Sequence, residues 1–406
     1  RHRFLRPVVV GLVIGLVALT GTDADDEMVV VRSGDLPKVD NVSAGALAQR
    51  AVLRAFLEQR PNYSIQPFAM PKIEGHAMDT GPLMGIASGN PPHAIYVNFR
   101  QSSSYINHGF LEPLETLVAR VLSDDERLRQ FDENGQWLAE PSVNQIDRAR
   151  KAILDRVPPP VWPVIHREAD TEKDGIPRGK HIWAMPTTVL AKALLYRKDL
   201  FQQAGLDPRR PPADWDELLQ FSRRIKALPG KYGITFSGGP YISYGAYSFL
   251  ASNGATFMAR GEDGRWRASF NTPEMAEAIY FLLRLVDEPF EAGGETYKGV
   301  AYIGLPGNDA SLKWERGQVG MQFTDLQDEM LASINPELVG IAPIPKSPRG
   351  VGGGDLNARM LGIFRQTSPR QKLAVMQYIW FVTSERAQRI RTKVFIDNGY
   401  GRFVRP

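Results

Sequence analysis

The residue types that carry covalent chemistry are present in this chain but are not spaced for it. Six histidines (His2, His76, His93, His108, His166 and His181) are scattered, with no HxH or HExxH spacing to put two imidazoles on one metal. No serine sits in GxSxG and none opens SxxK, so the common serine nucleophiles lack their local signatures. The run Gly350-Val351-Gly352-Gly353-Gly354-Asp355 falls one residue short of GxGxxG. Cysteine is absent, which excludes disulfides, thiolate metal sites and a Cys nucleophile. Asp325, Asp328 and Glu329 offer paired carboxylates, but at a helix start or turn such a cluster more often caps or is solvated. No catalytic residue, metal ligand or cofactor is assigned.

Aromatic and amide groups in loops are the stronger signal. Asn98-Phe99-Arg100-Gln101-Ser102 directly follows a strand candidate, and Tyr241-Ile242-Ser243-Tyr244 follows Gly238-Gly239-Pro240. A sugar packs its C–H faces on rings and pairs its hydroxyls with amide, carboxylate and guanidinium groups. Small-ligand pockets combine apolar walls with a few placed polar groups, which these segments supply. On spacing alone, the tyrosines serve equally well as core or interface aromatics.

The elements that must hold such loops alternate between strand-like and helix-like. Ser43 caps a helix striped by Ala48, Val52, Ala55 and Phe56 and closed by Pro61. Residues 28–32, 63–68 and 94–97 are short strand candidates, and 189–196 is apolar except for Lys192. Asp214-Trp215-Asp216-Glu217 reads as a capping box for a helix facing inward through Trp215, Leu218, Leu219 and Ile225. Thr272-Pro273 opens a helix striped by Met275, Ala278, Ile279, Leu282 and Val286, and Ser368-Pro369 opens one with Leu373, Met376 and Trp380 inward. This alternation predicts α/β layers with helices on both sides of mostly parallel sheets. Residues 122–180, rich in charge and containing Pro158-Pro159-Pro160, read as surface elaboration on one lobe.

At 406 residues the chain suits two cores better than one. With 43% apolar and 23% charged residues it reads as soluble and globular, not disordered or polytopic. Net charge is +4 and the basic residues form no block interleaved with aromatics, so no nucleic-acid partner is expected. Arg1, Arg3 and Arg6 precede an apolar run over 8–21 that ends in an acidic stretch. That run is shorter than the ~20 residues a membrane-spanning helix needs. Residues 1–26 therefore read as a signal peptide, with Thr22 and Ala24 at −3 and −1 of a cut, or alternatively as an uncleaved anchor. Export without a cysteine for lipid attachment points to a periplasm. The chain opens on Arg1 rather than methionine, so its start is expected upstream.

The stretch from Ala193 through Tyr196-Arg197-Lys198-Asp199-Leu200-Phe201 and Ala204-Gly205-Leu206, then Asp214-Trp215-Asp216-Glu217-Leu218, resembles the hallmark of family 1 extracellular solute-binding proteins. These are the maltose-binding-protein-like subunits of ABC importers. Arg197 stands where the family usually has asparagine. Other segments agree in order. Residues 83–97 resemble the family's helix, Ser-Gly-Asn-Pro turn and strand, with His93 in place of an aspartate. Gly179 to Pro186 resembles the entry to its hinge. Residues 314–321 resemble the segment before its ligand-facing aromatic, which here is followed by Thr324-Asp325-Leu326-Gln327, without the ring. Thr383-Ser384-Glu385 through Gln388, then Asn398-Gly399-Tyr400, complete the series.

The resemblance implies a two-lobe, type II periplasmic-binding-protein-like fold, each lobe a mostly parallel sheet flanked by helices. Residues 27–186 and 355–398 would form the N-terminal lobe, and 187–354 with 399–406 an incomplete C-terminal lobe, as of a fragment or the front of a longer polypeptide. A small polar ligand, a sugar in the first place, would lie between the lobes. Asn98, Phe99, Arg100 and Gln101 would form one wall, Tyr241 and Tyr244 the other, with Asp325 nearby and Asp355 and Asn357 near the hinge. The implied partners are ABC permease transmembrane subunits, for a monomer carrying no cofactor. An exported carbohydrate-active enzyme and a ligand sensor built on the same lobes are the competing functions.

Overall fold

The computed structural model of the chain describes residues 28–68, 80–169, 176, 178–239, 242–305, 309–326, 335, 337–350, 352–354 and 356–400. It opens with β1 (Val29–Ser33), α1 (Ala44–Leu57), β2 (Tyr63–Pro67), α2 (Thr80–Ala87), β3 (Ala94–Val97), α3 (Phe99–Asn107), α4 (Leu114–Leu122), α5 (Val143–Asp155) and α6 (Trp162–Ile165). A ribbon, β4 (His166–Ala169) with β5 (Gly179–Ile182), leads into the long strand β6 (Met185–Arg197). Ser43 accepts from the Ala46 N–H and caps α1, whose Ala48, Val52 and Phe56 are buried as its stripe requires. β1 pairs in parallel with β2 on one side and β3 on the other.

Beyond β6 come α7 (Lys198–Gln203), α8 (Trp215–Lys226), β7 (Tyr232–Phe236), α9 (Ile242–Ser252), the hairpin β8 (Met258–Arg260) and β9 (Trp266–Ala268), and α10 (Pro273–Asp287). The hairpin β10 (Pro289–Ala292) and β11 (Glu295–Lys298) precedes β12 (Ala301–Ile303), α11 (Asp309–Glu315), β13 (Val319–Leu326) and β14 (Val339–Ala342). The chain then returns along β15 (Leu356–Ile363) into α12 (Pro369–Val382) and α13 (Glu385–Phe395).

The main sheet runs β12-β7-β13-β6-β15-β3-β1-β2, with β14 also on β6. Its outer strands are parallel, β12 and β13 to β7 and β2 and β3 to β1. The two central strands, β6 and β15, are antiparallel to each other and to the strands they join. Side-chain packing divides along them. One core gathers buried residues from Val29 to Met185 and from Ala358 to Ala387, and another gathers those from Leu194 to Ala342. β6 contributes to both, Met185 to the first and Leu194 and Tyr196 to the second, whereas β15 contributes to the first alone, and β15 shifts register between Arg359 and Met360.

Two expectations fail on packing grounds. Residues 122–180 are not surface elaboration, because Leu128, Ala149, Ile153, Val161 and Ile165 are all buried and most of them join the first core. Their charges sit on the outer faces of elements whose few apolar residues point inward. On α10 the buried face runs Met275, Ala278, Phe281 and Leu285, while Ile279 is 46% exposed. Phe281 stacks on Trp215 with centroids 4.6 Å apart, and burying that ring outweighs burying Ile279.

Candidate functional site

Parallel strands release their following loops at one edge, and in open α/β sheets that edge is where crevices form. Ser33 at the end of β1 lies level with Ala94 at the start of β3, so the Gly34-Asp35 loop passes beside Tyr96. Asn98 leaves the same edge at the start of α3. Beside Asp35 is a cavity of about 330 Å³, enclosed by the 34–37 loop, the first turns of α1, the facing sides of α12 and α13, and the central strands at Thr187, Thr188 and Arg359. Arg359 Nη2 donates to Asp35 Oδ1 at 2.9 Å. Burial raises the Asp35 carboxyl, against the opposing pull of Arg359 and Arg391. Tyr378 lines the cavity at 7% exposure, its ring set edge-on to Phe56 with centroids 5.4 Å apart. Its hydroxyl is held protonated by burial and by nearby Asp35, with Arg391 opposing.

The expected site residues fall around this edge and across the central strands. Asn98 is buried, and its carbonyl accepts from Ser102 N–H at 3.0 Å to start α3. Phe99, Arg100 and Gln101 form the first turn of that helix, and their side chains lie outside the described residues. Arg167 Nη1 and Nη2 fix the helix by donating to Ser102 Oγ and Ser103 Oγ, both at 2.6 Å.

On the other side, Tyr244 belongs to the first turn of α9, with its side chain undescribed, and Tyr241 and Asp355 lie outside the described residues. Asp325 is in β13, not at a helix start or turn as its cluster suggested, and Asp328 and Glu329 lie outside the described residues. Its Oδ1 accepts from Lys192 Nζ at 2.8 Å across the β13–β6 register, and the Lys192 side chain is only 2% exposed. A Cβ placed on Gly354 would meet Ser248 Oγ at 3.4 Å and Lys192 Cβ at 3.6 Å. The second turn of α9, the glycine run and the Lys192–Asp325 pair are therefore neighbours. Asn357 pairs with Leu190 across β15 and β6, and its Oδ1 accepts from Ala358 N–H at 2.8 Å. Met360, three residues on, pairs with Val97 beside Asn98. One strand thus links the two groups.

Two substitutions noted in the sequence have structural roles. Arg197 donates through Nε and Nη2 to Asp199 at 2.8 and 2.6 Å and through Nη1 to the Trp314 carbonyl, so its charge is engaged at the β6–α7 junction. His93 is buried, its Nδ1 accepting from Arg32 N–H at 3.1 Å, and burial with the Arg32 guanidinium depresses it to about 4. Sequence reasoning missed Asp35, Arg359, Arg391 and Tyr378. Gly34-Asp35 after a strand was as legible as Asn98. Tyr378, on a helix with no exposed face, and Arg391, on an amphipathic one, carry no signal until the topology brings them in. Among the described residues no group of three or more His, Asp or Glu could hold a metal.

Residues 48–389 match the profile of the bacterial extracellular solute-binding proteins. A binding protein of Brucella abortus is 31% identical over 174 residues, 42% of this chain and 39% of that protein. The sn-glycerol-3-phosphate-binding periplasmic protein of Shigella flexneri is 33% identical over 122 residues, 29% of this chain and 26% of that one. The chain thus matches well under half the length of these relatives. Among solved structures, maltose-bound MalE3 of T. maritima superposes with a TM-score of 0.62 at 20% identity, covering 92% of this chain and 80% of that one. UgpB from Mycobacterium tuberculosis in complex with glycerophosphocholine gives 0.61 at 16% identity, covering 90% and 77%. At such identities the likeness is one of fold.

Proposed function

Because this chain belongs to the bacterial extracellular solute-binding protein family, we propose that it captures a small polyhydroxylated solute outside the cytoplasm and delivers it to the transmembrane permease of an ABC importer. The observation that carries this reading is the polar cavity at the parallel-strand edge, where the Asp35–Arg359 pair meets both central strands. Asp35, Arg359 and Asn98 to Gln101 form the wall on the N-terminal lobe, residues 27–186 and 355–398. Tyr241, Tyr244 and Asp325 face them from the C-terminal lobe, residues 187–354 and 399–406, with Asp355 and Asn357 at the hinge. The solute bridges the walls and shifts an open–closed equilibrium toward the closed form. The protein acts as a monomer, without cofactor or chemical turnover. Residues 1–26 direct export to the periplasm, as a cleaved signal or an anchor. No described helix is long and apolar enough to cross a membrane.

Sugars and polyols are the favoured class, supported by the maltose and glycerol-phosphate ligands named for similar proteins. The test is a calorimetric screen of mono- and disaccharides, polyols and their phosphates, with the solution analysed afterwards for products. One class should bind saturably and be recovered unchanged. A transformed solute would make the protein an enzyme, and silence across the screen would overturn the reading.

A further inference from the structure

We propose that Arg167 is a positioning residue for solute binding: carried on the β4–β5 ribbon, its guanidinium sets the orientation of α3 and so of the Asn98 to Gln101 turn. The proposal rests on the solute-binding reading, because it assigns a support to a wall which that reading names. α3 has nine residues, too few for a helix to hold its shape without tertiary support. Ser102, Tyr105 and Ile106 are buried and fix how deep the helix lies. An inward face alone leaves it free to roll and slide. Arg167 removes that freedom, since Nη1 donates to Ser102 Oγ and Nη2 to Ser103 Oγ, both at 2.6 Å. Successive residues of a helix lie about 100° apart around its axis. One planar fork holding two successive hydroxyls therefore fixes the roll of α3 as well as its place. Those hydroxyls follow directly on Gln101.

The fork is itself held from behind. The Arg167 carbonyl accepts from Trp183 Nε1 at 2.9 Å, and the Trp183 N–H donates to the Ile165 carbonyl at 3.0 Å. Trp183 is 2% exposed, so its ring is part of the first core. Across the ribbon Arg167 pairs with His181, and the next residue, Ile182, donates its N–H to Glu115 Oε1 at 2.9 Å. Glu115 is a buried carboxylate near the start of α4, and it spends that oxygen on the ribbon backbone. Two residues beyond Trp183 the chain becomes β6, the strand that enters both cores. The ribbon thus runs from the fork on α3 to the strand between the lobes. Loss of such a support leaves the wall present but misaligned, which costs affinity before it costs the fold.

Calorimetry with maltose, mannitol and sn-glycerol 3-phosphate, joined to amide hydrogen exchange on the full chain, tests this. Arg167→Met keeps much of the stem and removes the fork. It should weaken whichever probe the parent binds by about tenfold. Exchange over residues 98–107 should accelerate while the rest of the first core keeps its protection. Arg167→Lys should recover part of the affinity, and Ser103→Ala, which removes one of the two bonds at an exposed position, should lose part of it. Arg223→Met breaks the 2.8 Å pair with Glu288 in the other core and controls for general destabilisation. It should lower the thermal midpoint and leave affinity at the parent's value. Parent-like binding or unchanged α3 exchange in Arg167→Met overturns the positioning role and leaves solute binding standing. Equal weakening in Arg223→Met overturns it too, because the loss would then follow stability. Silence of the parent toward all three probes overturns the solute reading and the proposal with it.

Discussion

At the scale of single residues, the ionisable groups of this protein divide into those that burial strains and those that a partner satisfies. His93 is of the first kind, depressed to about 4 between the sheet and the Arg32 guanidinium. A depressed histidine contributes stability that is complete above its unfolded value near 6.5 and lost as pH falls through the folded one. The shift corresponds to on the order of 3 kcal/mol. Asp35 and Glu115 act with the opposite sign, since burial raises both carboxyls and favours the fold as pH drops through their folded values. The clean measurement is therefore a difference. Urea unfolding of the parent and of His93→Gln should diverge between pH 6.5 and 4, the variant losing less, and parallel curves would contradict the assignment. Lys192 and Asp325 are of the second kind. Asp325→Asn leaves an ammonium of 2% exposure facing a neutral partner and should destabilise the fold by about 2–4 kcal/mol. Lys192→Met combined with Asp325→Leu should restore much of that loss. If Asp325→Asn instead weakens ligand binding at constant stability, Asp325 serves the solute more than the fold.

At the scale of elements, helix starts were the most legible feature, because one side chain decides each of them. Ser43, Asp214, Thr272 and Ser368 all cap the helices expected of them. At Asp214 only half of the expected box forms, since Glu217 reaches back to the Ala213 N–H rather than to the cap itself. Helix faces were less legible. The expected and observed stripes of α10 obey the same period, and only the partner ring of Trp215 chooses between them. Sheet contacts were not legible at all. Gly233 in β7 sits against Ser222 of α8, where an added Cβ would collide with helix backbone and side chain alike. Gly233→Ala should therefore lower stability by about 1–3 kcal/mol, read as an earlier urea midpoint at unchanged slope. A neutral effect would mean that α8 can lift off the sheet without loss. The candidate site divides in the same way. Asn98 and Asn357 were singled out because they follow a strand or a glycine run, and neither lines the cavity, whereas Tyr378 and Arg391 reach it from helices whose sequence carries no mark of a site.

At the scale of the whole molecule, β6 is the strand that enters both cores and β15 pairs along it, so any relative motion of the cores would pass through those two strands. Each is continuous, but their pairing breaks register between Arg359 and Met360, next to the residue that holds Asp35. A register break concentrates bending and twist where ladder hydrogen bonds are interrupted. Closure about this point would carry Asp325 and the start of α9 toward Asp35 and Asn98, so a solute bridging them adds contacts that exist only in the closed form. The absence of cysteine makes this directly observable, since Arg148→Cys and Glu262→Cys introduce the only two thiols, at exposed positions on different cores. Dyes on those thiols should report a shorter mean separation at saturating ligand, with two exchanging populations at intermediate concentrations. Ligand at a hundred times its dissociation constant should also raise unfolding free energy by about 2.7 kcal/mol, since the unfolded chain has no site. Stabilisation without a change in separation would place the solute within one lobe, for which the cavity beside Asp35 is the evident location. A change in separation that persists in Arg391→Gln but disappears in Asp325→Asn would show that closure is driven from the far wall.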